Sequence, residues 1–401
     1  MPDPKQLVLI TGAFRFPEGD AAAARVLGIG KALRQINYEV QFAGWEESAR
    51  LEDEGSGGGY FYQGFQYFPQ NQFRTSPLNI ISRVWKYLAM GISVVSWLRR
   101  HSAQKNLYAV LSYHGGTAYL LLLKLFCWQK KIKLIIDCTE WYDAAALPGG
   151  RWGIPAIDNE VRMRFVNPWI GQVIAISRYL EDYYKARGCR VLRLPPMIDL
   201  GDPKWGLESP AAHQGLRLVY AGVPGKKDVL HSVMLGLDAL REEGYQVSLD
   251  LIGPTEVDLL MCVNGDSELI ERLRARLIFH ERCAQSKVPT LLKRADFSIL
   301  FRPQQRSSNA GFSTKLVESL AAGVPVIANL TGDIGAYIRD GAEGIIVPDE
   351  SFDSVLMGLR RAIMFSPNEL AEMRNAAKEC AKQNFQYEVQ CETLKNFMEI
   401  C

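Results

Sequence analysis

Short apolar runs and longer helical stretches alternate along this chain. Leu7–Thr11 is an apolar run closed by a glycine. Ala21–Gln35 follows with helical spacing, its apolar set being Val26, Leu27, Ile29 and Leu33. Tyr38–Ala43 predicts the next strand, and Ala109–Tyr113, Leu134–Asp137 and Val173–Ile176 are further apolar runs, each followed by a polar turn. The same grammar restarts at Leu216–Tyr220 and continues through Val247–Ile252, Leu277–His280, Phe297–Phe301, Val324–Ala328 and Gly344–Val347. Strands of this kind with helices between them predict parallel sheets covered on both faces, an α/β fold.

Between the two series lies "LPPMIDLGDPKWGLESPAAHQG", rich in Pro and Gly and poor in periodicity. It predicts a boundary near Leu200–Gln214. The expectation is an N-terminal Rossmann-like domain over 1–199 and a second over 200–366, both doubly wound and facing a central cleft. A helical segment over 367–401, with Leu370, Met373, Ala377 and Cys380 on one stripe, is expected to cross back to the first domain. Glu52–Phe68 reads as a mobile connection, and Val84–His101 as a helix with aromatics and a basic end.

Composition narrows the classes. The chain has 401 residues, 48% apolar and 22% charged, which suits a globular protein with two cores. A net charge of +2 offers no field for nucleic acid. Eight cysteines show no Cys-x-x-Cys spacing and no clustered histidines, which argues against a zinc site or disulfide scaffold and suits a reducing cytosol. The N-terminal apolar run is too short for a signal peptide. The longest apolar stretch, Ala118–Trp128, is about half of what a membrane span requires and holds a lysine.

Two stretches carry candidate chemistry. In "NAGFSTKLVESLAAGVPVIAN", from Asn309 to Asn329, a strand leads through a polar loop into a helix starting near Ser313 or Thr314 and ending at Gly323. Gly311 lets a ligand approach the backbone. Lys315 sits in the first turn, where a cation is unfavourable unless an anion also occupies that terminus. Glu318 lies three residues on, on the same side. Ammonium plus helix amides suit a diphosphate, and a carboxylate suits the adjacent hydroxyls of a ribose. An ordinary Lys315–Glu318 surface pair is the alternative. The second stretch, "VYAGVPGKKDVLHSV", is a strand, a glycine-rich turn with Gly222 and Gly225, the pair Lys226 and Lys227, and Asp228 as a helix cap.

Together these stretches resemble the donor half of family 4 of the retaining glycosyltransferases, which have the GT-B fold. "VLITGAFRFPEGDAAAARVLGIGKALRQINYEV", "LIIDCTEWYD" and "DGAEGIIVP" are similar to further parts of that family, so the likeness covers nearly the whole chain. The resemblance implies retaining transfer by front-face attack, the departing phosphate helping to take the acceptor proton. It implies that Glu318 binds ribose hydroxyls, that Lys226 or Lys227 binds the diphosphate, and that the Gly311, Phe312, Ser313, Thr314 and Lys315 backbone receives sugar and phosphate. Two departures stand out. The first glutamate of the family's motif falls at Ala310, and the arginine of its phosphate loop falls at Val223. Arg302, Asn309 and Ser313 are placed to reach the same space.

In the first half, Gly12 and Gly19 are candidates for approach to the transferred sugar, and Glu140 or Asp143 of "TEWYD" for orienting an acceptor hydroxyl, a loop acid bonded to local backbone being the alternative. His114 reads as a packing or backbone-bonding histidine, with catalysis as the alternative. The expected partners are a nucleotide-sugar donor and a glycan or lipid-linked acceptor. No cofactor or metal is expected, since Asp-x-Asp is absent. A nucleotide-sugar epimerase and an inactive sugar-nucleotide-binding subunit are the rival readings. Arg83, Lys86, Arg99, Arg100, His101 and Lys105, interleaved with Trp85, Tyr87 and Trp97, form the candidate for weak contact with an inner membrane face.

Overall fold

A computed structural model describes residues 5–17, 20–47, 59–70, 91–101, 106–206, 213–224, 228–280 and 282–400. Two compact units emerge: 1–197 with 387–401, and 198–386.

The first unit is built on β1 (Leu7–Phe16), β2 (Glu39–Glu47), β3 (Tyr60–Tyr62), β4 (Phe65–Tyr67), β5 (Leu107–Tyr113), β6 (Lys133–Cys138), β7 (Gln172–Ala175) and β8 (Arg190–Arg193). Their order across the sheet is β3-β4-β2-β1-β5-β6-β7-β8. All paired neighbours are parallel except β3 and β4. Those two form a hairpin through Gln63 and Gly64, both at positive φ, the backbone that matches strand twist in a two-residue turn. Residues 60–67 are therefore sheet edge, not the plain connection expected from Glu52–Phe68. The aromatics are the reason: Phe65 and Tyr67 are buried, and Phe65 packs edge-on to Phe42 at 5.4 Å.

Strand β1 also outruns its sequence estimate. It continues through Gly12 to Phe16, pairing β2 throughout with a register shift between Gly12 and Arg15. Phe14 and Phe16 supply the buried faces that keep it extended. Arg25, on helix Ala21–Gln35, is buried and makes a bidentate pair with Asp137 of β6, at 2.8 and 2.6 Å. Its third nitrogen donates to Leu194 O at 3.1 Å, so one side chain ties helix, sheet and the exit from β8.

The second unit holds β9 (Leu216–Ala221), β10 (Val247–Ile252), β11 (Leu277–His280), β12 (Phe297–Leu300), β13 (Val326–Asn329) and β14 (Gly344–Val347). The order is β11-β10-β9-β12-β13-β14, every pairing parallel. Each sheet thus reverses direction at one point, between β1 and β5 in the first unit and between β9 and β12 in the second. In such sheets ligands bind at the carboxyl ends of the strands flanking the reversal.

The tail divides differently from the expectation. Helix Pro367–Asn384 stays with the second unit, because Ala377, Cys380 and Ala381 pack in one cluster with Leu316, Val317 and Leu320. Only 387–401 joins the first unit, where Leu394, Phe397 and Met398 pack in one cluster with Val26, Ile29 and Leu33.

Candidate functional site

The reversal point of the second sheet gathers most of the donor-side candidates. Gly222 follows β9 and Arg302 follows β12. Helix Thr314–Ala321 begins beside them, with Ser313 at its N-cap and Gly323 in the left-handed region just past its end.

Lys315 does not pair with Glu318. Its Nζ donates to Asp228 Oδ1 at 2.9 Å and to the Tyr220 hydroxyl at 2.7 Å, and lies 4.1 Å from the Tyr220 ring centre. Burial pulls the Lys315 ammonium below its ordinary pKa, and Asp228 opposes that shift. Asp228 was expected as a helix cap. The helix starts three residues later, at His231, with no side-chain cap, because the Asp228 carboxylate is turned to Lys315. Gly222, at φ +120°, makes room: a Cβ there would lie 2.9 Å from Lys315 Cε.

Glu318 is half-buried one turn on. Burial pushes its carboxyl above the ordinary range, and its recorded hydrogen-bond partner is Gln285 Nε2, at a long 3.5 Å. The Gln285 hydrogen bond, and after it the charges of Lys204 and Lys315, pull the other way.

The polypeptide around the helix mouth is braced by amides. Asn329 at the end of β13 accepts from Arg302 N at 3.0 Å and donates to Arg302 O at 2.8 Å. Asn309 Oδ1 accepts from Gly332 N at 2.9 Å, holding the 331–332 turn against the short helix Arg306–Ala310. Within this frame Arg302 Nε and the hydroxyls of Ser308, Ser313 and Thr331 are buried without a hydrogen-bond partner among the described residues. Buried polar groups are normally paired. Four such atoms around one helix mouth offer a polar ligand unsatisfied partners. Phe312 is turned to Tyr337 and Phe385, at 5.6 and 5.8 Å, and serves packing. Gly311 is buried, Thr314 is half-buried, and Ala310 is fully enclosed. Lys226, Lys227 and Gly225 lie outside the described residues, as does Gly19.

The reversal point of the first sheet holds a cavity of about 530 Å³ lined by Ala13, Asp20, Trp45, Tyr113, His114, Tyr142, Asp158 and Arg162 among others. His114 follows β5 in the left-handed region, φ +46°. Two side chains meet its ring: Nε2 bonds the Thr139 hydroxyl, and Nδ1 lies 3.3 Å from Arg162. Arginine only donates, so Nδ1 accepts and Nε2 carries the proton toward Thr139. Arg162 sits in a single π-helical turn, Arg162–Val166, a feature that often occurs at functional sites. Sequence reading missed it, since nothing in local periodicity marks an inserted residue. Glu140 follows β6 and interacts with Tyr142, whose hydroxyl is pushed up by burial first and by Glu140 next. Gly12 has a packing reason for lacking a side chain. It lies inside β1 at φ +129°, where a Cβ would fall 1.9 Å from Tyr113 O.

Among the described residues no group of three or more His, Cys, Asp or Glu is placed to hold a metal.

Known proteins share this architecture. Sucrose-phosphate synthase from Thermosynechococcus elongatus superposes with a TM-score of 0.70 over 99% of both chains, at 14% identity. Trehalose-6-phosphate synthase OtsA gives 0.72 over 99% of both chains, at 11% identity. The fold is GT-B. Anabaena HepE, solved in complex with UDP and glucose, gives 0.66 over 99% of this GT-B chain and 100% of its own, at 14% identity. Residues 217–383 match the family described as glycosyl transferases group 1, a match that lies within the second unit. No curated protein sequence matches the chain.

Proposed function

We propose that this protein is a retaining glycosyltransferase that moves a sugar from a nucleoside-diphosphate sugar to a hydroxyl of a glycan or lipid-linked acceptor, in cell-surface polysaccharide synthesis at the cytoplasmic side of a membrane. One observation carries the donor half of this reading. At the reversal point of the second sheet, four buried polar atoms without partners surround a helix N-terminus that also presents Lys315 and a partly desolvated carboxylate, Glu318. Helix amides, Arg302 and Lys315 suit the diphosphate, and Glu318 suits the ribose. The group 1 match over the same residues, and the bound UDP of HepE, support it.

The acceptor would occupy the cavity of the first unit, where Glu140 and His114 stand near the rim residues Tyr113 and Tyr142. Glu140 would orient the hydroxyl. Transfer needs no protein nucleophile. The work is positioning, and stabilising charge on the departing diphosphate. Lys315, Arg302 and the lysines at 226 and 227 would supply that charge without a required metal.

Incubation with a panel of nucleotide sugars tests the reading. Slow release of nucleoside diphosphate from one donor, retained in a chelator, is the expected result, and the anomeric configuration of a transferred product read by NMR checks retention. Stabilisation by a nucleoside diphosphate with no turnover of any donor would assign an inactive binding subunit. Interconversion of two nucleotide sugars would assign an epimerase.

A further inference from the structure

Helix Thr117–Lys130 in the first unit is apolar nearly all the way round, yet only one face is covered. Tyr119, Leu120, Leu123, Phe126 and Cys127 are buried. On the opposite side Leu121 is 44% exposed, Leu125 49% and Trp128 74%, at helical spacing along one stripe. A second exposed stripe runs beside it. Ile157 is 49% exposed, Phe165 67% and Trp169 62%. Lys124 joins the two, its Nζ 5.6 Å from the centre of the Trp169 ring. Trp152, on the turn just before the second stripe, is 88% exposed. A helix hydrophobic all round is ordinarily enclosed, and a contiguous exposed patch of this kind marks an interaction surface.

We propose that this face docks on an anionic lipid bilayer. The charges decide the occupant. Helix Thr117–Lys130 contains no acidic residue, and Lys124, Lys130 and the capping Lys131 stand along it or at its end. Arg151 flanks Trp152. Two nearby acids are engaged by local partners: Asp158 accepts from Thr117 N at 2.8 Å, and Glu160 is held by Arg164 at 2.6 Å and by Trp141 Nε1 at 3.0 Å. A second copy of the chain would set these bases against themselves. A bilayer with anionic headgroups meets them with opposite charge and accepts tryptophan at the level of the headgroups. The helix has 14 residues, too few to span, so the contact is interfacial and reversible. Of the surface expected from 83–105, Trp97 packs on Phe68 at 4.9 Å, and Arg83, Trp85, Lys86, Tyr87 and Lys105 lie outside the described residues.

Flotation of the full chain with neutral phosphatidylcholine vesicles, and with vesicles that also carry phosphatidylglycerol, tests this. Binding is expected only to the anionic vesicles, weakening in high salt. The Trp128→Ser/Trp169→Ser variant and the Lys124→Glu/Lys130→Glu variant should each lose at least tenfold in vesicle affinity while melting like the parent. Glu318→Ala should float normally, so failure of the donor-site reading leaves this test intact. No flotation, or equal flotation of the variants, overturns the proposal. A lipid-free dimer in sedimentation that Trp128→Ser/Trp169→Ser dissociates would overturn it in favour of a second copy.

Discussion

Lys315 at the mouth of its helix is held by Asp228, 87 residues earlier, at 2.9 Å, and not by Glu318 one turn away. The pair fixes the ammonium beside Gly222, and among the described residues Glu318 has no ion-pair partner. A carboxylate beside the proposed diphosphate site opposes the ligand's charge.

Asp228→Asn should therefore tighten nucleoside diphosphate binding, by about tenfold for roughly 1.4 kcal/mol of relieved repulsion. The same change should lower the melting temperature, because it leaves a mostly buried ammonium without its opposite charge. Calorimetric titration with the diphosphate and a thermal melt check both signs. Weaker binding would show that Asp228 orients Lys315 for the ligand and does not compete with it.

Glu318 predicts a conflict between stability and binding. Burial raises its pKa, so the folded state holds the proton more tightly than the unfolded one. Stability is then fullest below the unfolded-state value of about 4.3 and declines as pH rises from there through the raised folded value. Glu318→Gln removes that loss. At neutral pH it should melt higher than the parent, and the difference should vanish near pH 4. Hydrogen bonds to a charged group contribute roughly 1.5–3 kcal/mol, so affinity for the nucleoside diphosphate should fall about tenfold to a hundredfold. A variant that melts lower at every pH while binding normally would make Glu318 a structural residue.

Two glycines separate fold from site. At Gly12 a Cβ would meet the Tyr113 carbonyl at 1.9 Å, backbone against backbone. Gly12→Ala should cost more than about 3 kcal/mol, lowering the melting temperature without changing nucleotide affinity in the folded fraction. At Gly222 the neighbour is the flexible Lys315 Cε, at 2.9 Å. Gly222→Ala should cost less stability, about 1–2 kcal/mol for the φ of +120°, and should displace the ammonium and weaken nucleotide binding. Equal effects of the two substitutions on nucleotide affinity would contradict this division.

Local signals in the sequence carried the alternation of strands and helices and the left-handed exit at Gly323. They also marked the helix at 314–321, whose mouth gathers Lys315 and Ser313. What they left out is non-local. Asp228 reads as a helix cap because capping is a short-range rule, and its pairing with Lys315 depends on how β9 and β12 lie side by side. Gly12 reads as a loop glycine because the apolar run stops before it, whereas Phe14 and Phe16 extend the strand. The stripe on 367–384 is legible, but which unit it covers is not, since either offers an apolar face. The buried Arg25–Asp137 pair was equally hidden: a lone arginine in a helix and a lone aspartate in a strand look like surface residues until the fold joins them.

Arg162 carries the last prediction. It is 4% exposed, and its recorded hydrogen bonds go to Asn159 Oδ1 at 3.1 Å and to His114 Nδ1 at 3.3 Å, both neutral groups. A buried guanidinium usually sits against a carboxylate, because the desolvation cost otherwise stands uncompensated. Here it lines a cavity with Tyr113, Tyr142 and His114, and it fixes the His114 tautomer from behind. In the proposed transferase this cavity takes the acceptor. Arg162→Met keeps volume and removes charge, so it should leave the melting temperature unchanged or raise it. It should leave nucleoside diphosphate binding untouched, since that site lies in the other unit. Acceptor kcat/KM should fall about tenfold to a hundredfold, the loss of one charged hydrogen bond and of the histidine's orientation. Arg162→Lys should recover little, because an ammonium cannot serve Asn159 and His114 at once in the guanidinium's planar geometry. Measuring donor hydrolysis and acceptor transfer separately isolates the effect. Unchanged transfer with a lowered melting temperature would reduce Arg162 to a brace for the π-helical turn.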